Sequence, residues 1–238
     1  MSNKIIVTIV IVTYNAEKDI ASCLDSVKNC IDDKTEVIII DGCSNDNTLG
    51  IIKKYSNIIS DLISEKDSGI YDAMNKGVRK ASGNFIYFLG ADDTLALNFN
   101  ELYNILIDSN TIYYGDVNLK PSNKIYGGEF NTVDIINRNI CHQSIFYPKE
   151  VFESYSYGSD FKYMEDYYLN LKLWSSKKYK FKYFNSLIAN YSSNGLSSID
   201  IDNNFKTESF KIIYNYFGLW GLLLKLTNSL QNLIKKIN

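Results

Sequence analysis

The stretch FIYFLGADD, residues 85–93, decides the fold predicted for this chain. Residues 85–89 are apolar, which is typical of a strand buried on both faces of a parallel sheet. Open parallel sheets bind ligands at the carboxyl ends of their strands, where Asp92 and Asp93 are expected to lie. Adjacent carboxylates repel each other unless a cation or solvent separates them, so the pair predicts a divalent-cation site. The alternative is that Asp92, Asp93 and Thr94 cap a following helix.

Strand and helix patterns alternate before this stretch. The predicted strands are 5–12, 36–40 and 58–64, and the predicted helices are 17–31, 49–55 and 70–81. Such alternation implies βαβ units and a mostly parallel sheet. After residue 110 we expect a hairpin around Pro121, a helix from about Glu165 and two short strands at 179–184 and 187–192. The chain is therefore predicted to be an α/β protein with a nucleotide-binding type of first half and a more irregular second half.

Composition limits the class of protein. The 238 residues are 45% hydrophobic and 22% charged, as in ordinary globular proteins. A net charge of −2 argues against nucleic-acid binding. One histidine and four cysteines without CxxC spacing argue against a zinc site. The amino terminus is too short and too β-branched for a signal peptide, and the apolar runs fall below the ~18 residues that span a bilayer, so we expect a cytoplasmic protein.

Four motifs together resemble family 2 glycosyltransferases with the GT-A fold. They are IVIVTYN at 9–15, IDGCSND at 40–46, EKDSGIYDAMNKG at 65–77 and ADD at 91–93. They occur in order within a resemblance that covers about residues 5–175. The resemblance implies a Rossmann-like, mostly parallel central sheet flanked by helices, with a more irregular acceptor-binding half. It also implies a hexosyltransferase type of enzyme that uses a nucleotide-sugar donor.

The resemblance assigns the metal and donor residues. Asp93 would hold Mn²⁺ or Mg²⁺, which neutralises the charge that grows on the diphosphate as the sugar–phosphate bond breaks. Asp92 would reach the donor ribose or sugar, and Ala91 stands where other members carry a further Asp. The nucleotide-sugar pocket would be built by the following residues: Thr13, Tyr14, Glu17, Asp41, Asp67 and Lys76. UDP is the expected nucleotide because the pocket motif resembles uridine-binding members.

Several of these residues also have structural explanations. Asp41, which is expected to form a hydrogen bond with the nucleobase, is also a typical turn residue before Gly42. Tyr14 is equally able to pack, and Lys76, expected near the diphosphate, is equally suited to a solvated helix face. These alternatives stay open at the level of sequence.

The second half is expected to supply the catalytic base. An inverting transfer needs one carboxylate that accepts the proton of the attacking acceptor hydroxyl. The stretch YMEDYYL at 163–169 resembles the acidic pair of inverting members, with Asp166 at the base position and Glu165 beside it. The alternative is that both stabilise a helix amino terminus through its dipole. His142, the single histidine, is expected near the donor sugar or acceptor, or in a purely structural position; the loop at 191–197 is predicted to close over bound donor.

The carboxyl-terminal segment carries a separate prediction. We expect a glycosyltransferase domain at residues 1–212 and a basic amphipathic helix at 213–238. Apolar side chains from Leu219 onward share one helical face, and Lys225, Lys235 and Lys236 lie on the other. Such a helix binds a membrane interface, packs back on the domain or mediates a dimer. The membrane alternative is preferred here.

The predicted function is transfer of a sugar, with inversion, to a glycan in the synthesis of a bacterial surface polysaccharide such as O-antigen or capsule. The expected donor is a UDP-sugar. The resemblance implies an acceptor linked to a polyprenyl diphosphate lipid and a peripheral position at the inner face of the cell membrane. A sugar nucleotidyltransferase is the first alternative, but such enzymes usually carry a Gly-rich, basic loop after the first strand, and residues 13–17 contain neither Gly nor Arg. The second alternative is a non-catalytic subunit of a polysaccharide assembly complex.

Overall fold

The computed structural model describes the backbone of residues 4–192 and 202–237, and the side chains of these residues up to 227. The strands are β1 (Val7–Thr13), β2 (Thr35–Asp41), β3 (Asp61–Ser64), β4 (Phe85–Gly90), β5 (Thr94–Leu95), β6 (Thr111–Lys120), β7 (Lys124–Tyr126), β8 (Ile145–Pro148) and β9 (Lys180–Ser192). The α-helices are α1 (Ile20–Cys30), α2 (Thr48–Ile52), α3 (Ile70–Lys80), α4 (Thr132–Asn137), α5 (Val151–Ser154), α6 (Glu165–Ser176) and α7 (Asn203–Ile237). Short 3₁₀ turns occupy Lys53–Tyr55, Phe99–Asn104 and His142–Ser144.

These strands form one mixed sheet in the order β3-β2-β1-β4-β8-β6-β9-β5, with β7 paired to β6. The first four strands in this order are parallel, and the register aligns Val12 with both Ile40 and Gly90. The strand β8 then pairs antiparallel with β4 and with β6. The predicted α/β fold with a mostly parallel first half is therefore confirmed.

The sheet separates two apolar layers because its central strands are buried on both faces. Alternate residues of β1 point to opposite sides, so that Val10 and Val12 belong to one core cluster and Ile9 and Ile11 to the other. Helix α1 covers the second cluster through Leu24 and its neighbours. This arrangement places the ends of β1, β2 and β4 at one edge of the sheet, with their polar loops side by side.

Helix α3 forms where it was predicted. Tyr71 and Met74 are buried on its inner face, whereas Ile70 at its start is 39% exposed. The helix packs closely on β1, because a Cβ atom at Gly77 would lie 2.3 Å from Cγ1 of Val10. The apolar pattern alone did not reveal that Gly77 sets this face.

The prediction of two short strands at 179–184 and 187–192 is wrong, because β9 is continuous from Lys180 to Ser192. Its pairing with β6 shifts register near Asp116. At that point a Cβ atom at Gly115 would lie 2.6 Å from the carbonyl oxygen of Ser186. Residues 185 and 186, which separate the two predicted strands, therefore form an irregularity within one long strand.

Helix α7 begins at Asn203, so the predicted boundary between residues 212 and 213 falls inside it, where Ile212 and Ile213 are buried. The backbone leaves the helical conformation at Gly218, which has a φ of 66°. None of the helices in the described ranges has the length and apolar character that crossing a bilayer requires.

Beyond Gly218 the outward face of α7 is apolar. The expected outward position of Lys225 is wrong, since its Nζ lies 3.4 Å from the carbonyl oxygen of Ile136 and burial lowers its pKa. Leu222 and Leu224 pack against the core. The large apolar side chains that are exposed in this part of the helix are Leu219, Trp220, Leu223 and Leu226. We call these four residues the outer strip of α7. The side chains of Lys235 and Lys236 lie outside the described residues.

Candidate active site

The loops that follow β1 and β2 are joined by hydrogen bonds. The backbone N–H of Asn15 donates to Oγ of Ser44 at 2.8 Å, and that of Ala16 donates to Oγ1 of Thr48 at 2.8 Å. In return, the N–H of Asn45 donates to Oδ1 of Asn15 at 2.9 Å. Two polar clusters separated by about 30 positions in the chain therefore form one continuous wall.

Glu17 is part of this wall. Its Oε2 accepts a hydrogen bond from the N–H of Asn47 at 2.9 Å, while its own N–H donates to Oδ2 of Asp46 at 3.1 Å. The carboxylate of Asp46 also accepts from the hydroxyl and the N–H of Thr48, which begins α2. Both carboxylates thus stabilise the loops, and Glu17 lies at the edge of the predicted nucleotide pocket.

Asp41 is the buried centre of the second loop. Its Oδ1 accepts from the Ser44 hydroxyl at 2.5 Å, and its Oδ2 accepts from the Ser44 N–H at 3.0 Å and from the Ser64 hydroxyl at 2.6 Å. Thr13 ends β1 directly opposite Asp41 in the sheet register. The Thr13 hydroxyl is buried and has no hydrogen-bond partner among the described residues. An unpaired buried hydroxyl at a strand end is costly unless a ligand completes it.

Tyr14 and Asp67 border the same space. The Tyr14 ring is 60% exposed, and it lies 3.4 Å from the position that a Cβ atom on Gly42 would take. The Asp67 carboxylate lies only 2.6 Å from that position, and its Oδ1 accepts from the Gly69 N–H at 3.0 Å. Gly42 therefore allows an aromatic face and a carboxylate to approach each other beside Asp41.

Lys76 is held at the far end of this region. Its ammonium group lies 3.1 Å from Oε1 of Glu65 and 3.5 Å from Oδ2 of Asp72, and it donates to the Lys66 carbonyl at 2.7 Å. The Lys76 side chain is 11% exposed. In this arrangement the lysine braces the loop before α3, rather than lying on a solvated helix face.

Asp92 and Asp93 follow β4 in a tight turn. A Cβ atom at Gly90 would lie 2.6 Å from Oδ2 of Asp93 and 3.0 Å from Oδ1 of Asp92, so the two carboxylates converge above this glycine. The two-residue strand β5 comes next. The alternative that the pair caps a helix is therefore wrong.

Asp93 is the more buried of the two, with 1% of its surface exposed. Its Oδ1 accepts from the Ser192 N–H and its Oδ2 from Nε2 of Gln143, both at 2.7 Å. Burial and the nearby Asp92 carboxylate raise the pKa of Asp93 to about 7, and burial also raises the pKa of Asp92. Both carboxylates are thus unfavourable as bare charges and would be stabilised by a cation.

This donor set fits a divalent cation shared with a substrate. Mg²⁺ and similar ions are commonly held by one or two carboxylates together with substrate phosphate oxygens and water. Within the described residues no cluster of three or more His, Cys, Asp or Glu side chains is present. The sequence prediction gave the metal to Asp93 alone and placed Asp92 at the donor ribose or sugar. Because the two carboxylates converge above Gly90, both would provide protein ligands, and a diphosphate would complete the coordination.

Asp166 lies in the first turn of α6 and is 6% exposed. Its Oδ1 accepts from the Tyr71 hydroxyl at 2.8 Å, and its Oδ2 accepts from Nδ2 of Asn139 at 2.6 Å. Nδ1 of His142 lies 3.9 Å from the same Oδ2. Burial lowers the pKa of His142, although the Asp166 charge opposes this, and Nε2 of His142 has no partner among the described residues.

Glu165 is adjacent in sequence but faces a different loop. Its Oε2 accepts from the Gly158 N–H at 3.0 Å and its Oε1 from the Phe161 N–H at 2.9 Å. These bonds close the segment before α6 and leave the carboxylate 3% exposed. The structure thus separates the acidic pair, with Asp166 facing Tyr71 and His142 and Glu165 fixing the loop.

The sequence prediction missed four partners of these carboxylates: Tyr71, Asn139, Gln143 and Ser192. Tyr71 lies within the recognised motif at 65–77, and Gln143 follows the predicted site residue His142. Ser192 lies in the loop predicted to close over the donor, but its contact with Asp93 joins positions 99 residues apart. Asn139 carries no local signal, because its contact with Asp166 joins positions 27 residues apart. The loop predicted to close over the donor begins at Tyr191 and lies, from residue 193, outside the described residues.

Comparison with known proteins identifies the class. The model of the family described as Glycosyl transferase family 2 matches residues 8–155. The PGL/p-HBAD biosynthesis glycosyltransferase of Mycobacterium tuberculosis (strain ATCC 25177 / H37Ra) is 32% identical over 209 residues, which cover 83% of this chain and 81% of that protein. The fold and the site define a GT-A glycosyltransferase. The chain belongs to glycosyl transferase family 2, and the predicted family and enzyme class are confirmed.

Solved structures show the same fold. Staphylococcus aureus TarS residues 1–349 in complex with UDP-GlcNAc superimpose with a TM-score of 0.74 at 16% identity, covering 93% of this chain and 70% of that chain. A longer TarS structure is covered to 40% of its length. The mannosyltransferase PcManGT from Pyrobaculum calidifontis, in complex with GDP-Man and Mn²⁺, gives a TM-score of 0.60 at 16% identity, covering 95% of this chain and 74% of that chain.

Proposed function

We propose that this enzyme transfers a sugar, with inversion, from a UDP-sugar to a hydroxyl group of a glycan. One observation carries the proposal. The dipeptide His142–Gln143 links two buried carboxylates from opposite halves of the chain, because Gln143 donates to Asp93 while the His142 ring lies beside Asp166. A single short segment therefore fixes the separation between the predicted metal ligand and the predicted base.

The donor side uses the first half of the chain. Asp93 and Asp92 would hold Mn²⁺ or Mg²⁺, which supplies positive charge to the departing diphosphate when bound. The exposed ring of Tyr14 and the buried Asp41 and Thr13 border a space suited to a nucleobase and its ribose. UDP is proposed as the nucleotide because the matched TarS structure contains UDP-GlcNAc, whereas PcManGT contains GDP-Man.

The acceptor side uses Asp166. Its carboxylate would accept the proton of the acceptor hydroxyl as that oxygen attacks the anomeric carbon and the bond to the diphosphate breaks. The attack is proposed to occur on the face of the sugar opposite the departing diphosphate. One displacement of this kind inverts the configuration. Glu165 has no part in the proposal, since both its oxygens are bonded to backbone N–H groups.

The acceptor is proposed to be a glycan linked to a lipid diphosphate at the inner face of the cell membrane, in the synthesis of a bacterial surface polysaccharide such as O-antigen or capsule. The outer strip of α7 supports this proposal, since Leu219, Trp220 and Leu223 are all more than half exposed. An exposed helical face with Trp and Leu side chains suits the interface of a bilayer. The mycobacterial relative is likewise a glycosyltransferase of a biosynthetic pathway, that of PGL/p-HBAD.

A donor screen tests the proposed reaction. The protein is incubated with UDP-glucose, UDP-galactose, UDP-GlcNAc and GDP-mannose, each with Mn²⁺, with Mg²⁺ or with EDTA, and release of the nucleoside diphosphate is measured. We expect metal-dependent release of UDP from at least one UDP-sugar. Once an acceptor glycan is found, we expect the anomeric carbon of the transferred sugar to have the opposite configuration to that in the donor, as read from the anomeric proton signal by NMR. Failure to bind or turn over any nucleotide sugar would refute the proposal, as would full activity of an Asp166→Asn variant.

A further inference from the structure

A chain of buried hydrogen bonds leads to Asp166 from the interior of the protein. Nδ2 of Asn139 donates to Asp166, and Oδ1 of Asn139 accepts from Nδ2 of Asn170 at 2.9 Å. Oδ1 of Asn170 in turn accepts from the Tyr147 hydroxyl at 2.8 Å. Asn170 and Tyr147 have no exposed surface. The chain therefore begins in the core on β8 and ends at the carboxylate.

The direction of these bonds is determined by chemistry. The Asp166 carboxylate only accepts hydrogen bonds, so the Asn139 amide nitrogen faces it and the Asn139 oxygen is left to accept from the Asn170 amide nitrogen. The Asn170 oxygen is then left to accept from the Tyr147 hydroxyl. The Asn139 backbone is also fixed, because its carbonyl accepts a hydrogen bond from the Tyr126 hydroxyl. Asn139 can therefore present only a donor to the carboxylate.

Tyr71 holds the other oxygen from the opposite side. It is 7% exposed and lies on α3, the helix that begins within the motif at residues 65–77. Burial and the Asp166 charge raise the pKa of Tyr71 well above its ordinary value, so its hydroxyl remains protonated and donates. The two donors thus arrive from different elements and fix both oxygens of Asp166.

Such a network has little value for stability alone. Apolar residues of similar size would fill this part of the core without the cost of burying amides and hydroxyls, whereas a fully bonded polar network fixes one conformation. Most of its members lie within the core, and the end that faces the site is Asp166. A charged carboxylate also gains from two donors, because hydrogen bonds to the charged form favour it.

We infer that Tyr71 and Asn139 are positioning residues, which hold the proposed base in one orientation, with Asn170 and Tyr147 fixing the Asn139 amide. This inference rests on the proposed function of Asp166. It adds two residues from outside the acidic pair to the machinery of proton transfer.

Several titratable groups surround Asp166. Its titratable neighbours on the surrounding elements are Tyr71, Tyr126, Cys141, His142, Tyr147, Tyr157 and Glu165. Burial raises the pKa of the tyrosines and of the Cys141 thiol and lowers that of His142. These groups are therefore neutral near pH 7 and do not add a positive charge beside the carboxylate. Glu165 faces away into its own loop.

The test uses Tyr71→Phe and Asn139→Ala in the full chain, with Tyr167→Phe as the matched control. Tyr167 follows Asp166, is similarly buried, and donates its hydroxyl to the Ile135 carbonyl at 2.8 Å. Release of UDP is measured at pH 7 with the UDP-sugar that turns over, at two saturating Mn²⁺ concentrations, so that loss of the metal is distinguished from loss of the catalytic step. UDP affinity is measured by calorimetry, and the melting temperature reports folding.

We expect Tyr71→Phe and Asn139→Ala each to lower kcat by roughly 10- to 100-fold, the effect of losing one hydrogen bond to a charged group. UDP affinity should stay within twofold of the wild-type value in both variants. Tyr167→Phe should keep the wild-type kcat even if its melting temperature falls.

Asp166→Asn separates this inference from the proposed function. If Asp166→Asn loses transfer but keeps UDP binding, while Tyr71→Phe and Asn139→Ala show wild-type kcat, the base assignment stands and the positioning inference is overturned. The same conclusion follows if the three tyrosine and asparagine variants lose activity only in proportion to their stability. If Asp166→Asn stays active, the proposed base and its positioning residues are both wrong.

Discussion

The burial of Asp93 predicts that the active site destabilises the metal-free protein at alkaline pH. The pKa of this carboxyl is about 7 in the folded protein against an ordinary value of 3.8, mainly because of burial. Between these values the unfolded chain has lost the proton that the native protein keeps. A group whose pKa is raised by folding contributes stability at low pH, and that contribution is lost as the pH rises toward 7.

The magnitude follows from the two pKa values. Each pH unit within the interval costs ~1.36 kcal/mol of unfolding free energy. Between pH 5.5 and pH 8.5, only the first ~1.5 pH units lie below the pKa of Asp93 in the folded protein. Asp93 should therefore lower the unfolding free energy by roughly 2 kcal/mol over this range. For a chain of this size the loss corresponds to a decrease of about 4–8 °C in melting temperature.

Asp93→Asn removes the charge and therefore this part of the pH dependence. The amide still bonds Ser192 or Gln143, although the Gln143 side chain must rotate and give up its contact with the Cys141 thiol. That rearrangement adds an offset that is independent of pH, so the slopes must be compared and not the absolute stabilities. Thermal and urea unfolding in EDTA at pH 5.5, 7 and 8.5 supply the slopes.

The matched control is Glu153→Gln, which neutralises an exposed carboxylate and should keep the wild-type slope. Asp93→Asn should be about 2 kcal/mol less sensitive to pH than either protein over this range. An Asp93→Asn variant whose unfolding free energy falls with pH as steeply as that of the wild type would refute the argument. Burial would then not be what perturbs this carboxyl.

Three further predictions test other parts of the structure. Asp93→Ala should lower UDP-sugar turnover by roughly 10²–10³-fold with the fold retained by circular dichroism, and Asp92→Ala should weaken donor binding; near-normal Mn²⁺-dependent activity of Asp93→Ala would exclude it as a metal ligand. Gly77→Ala should cost about 1–3 kcal/mol of unfolding free energy, because its Cβ would meet Val10, whereas Lys80→Ala on the exposed face of α3 should be nearly neutral. The triple variant Leu219→Ser/Trp220→Ser/Leu223→Ser should reduce co-sedimentation with anionic vesicles without lowering UDP affinity. The control Leu97→Ser/Ile107→Ser changes exposed apolar residues outside the outer strip and should leave co-sedimentation unchanged. Equal vesicle binding by both variants would favour a packing or dimer role for α7.

The first half of the fold was predictable because its signals are local. Strands β1, β2 and β4 are continuous apolar runs, and each ends in a polar cluster, so the pattern itself places those clusters at one edge of the sheet. Gly115 and Gly77 show what such a pattern omits. Each permits a close approach to a residue far away in the chain, and the apolar periodicity around them gives no sign of it.

The carboxyl-terminal helix was predicted in type but not in orientation. Its apolar residues surround most of the helix, so periodicity selects a face only weakly, and the break at Gly218 changes the phase. The position of Lys225 is instead decided by the Ile136 carbonyl on α4, a contact between residues 89 positions apart. A tertiary contact of this kind overrides the helical pattern.

The site itself shows why identifying its carboxylates was easier than explaining them. Asp93 and Asp166 are marked by motifs, but the groups that donate hydrogen bonds to them come from elsewhere: Gln143 for Asp93, and Tyr71 and Asn139 for Asp166. Asp93 accepts two hydrogen bonds and still has its pKa raised to about 7, because burial and Asp92 outweigh them. A cation would reverse that balance. Under the proposed function, the neighbours of these two aspartates would therefore suit one to metal binding and the other to proton transfer.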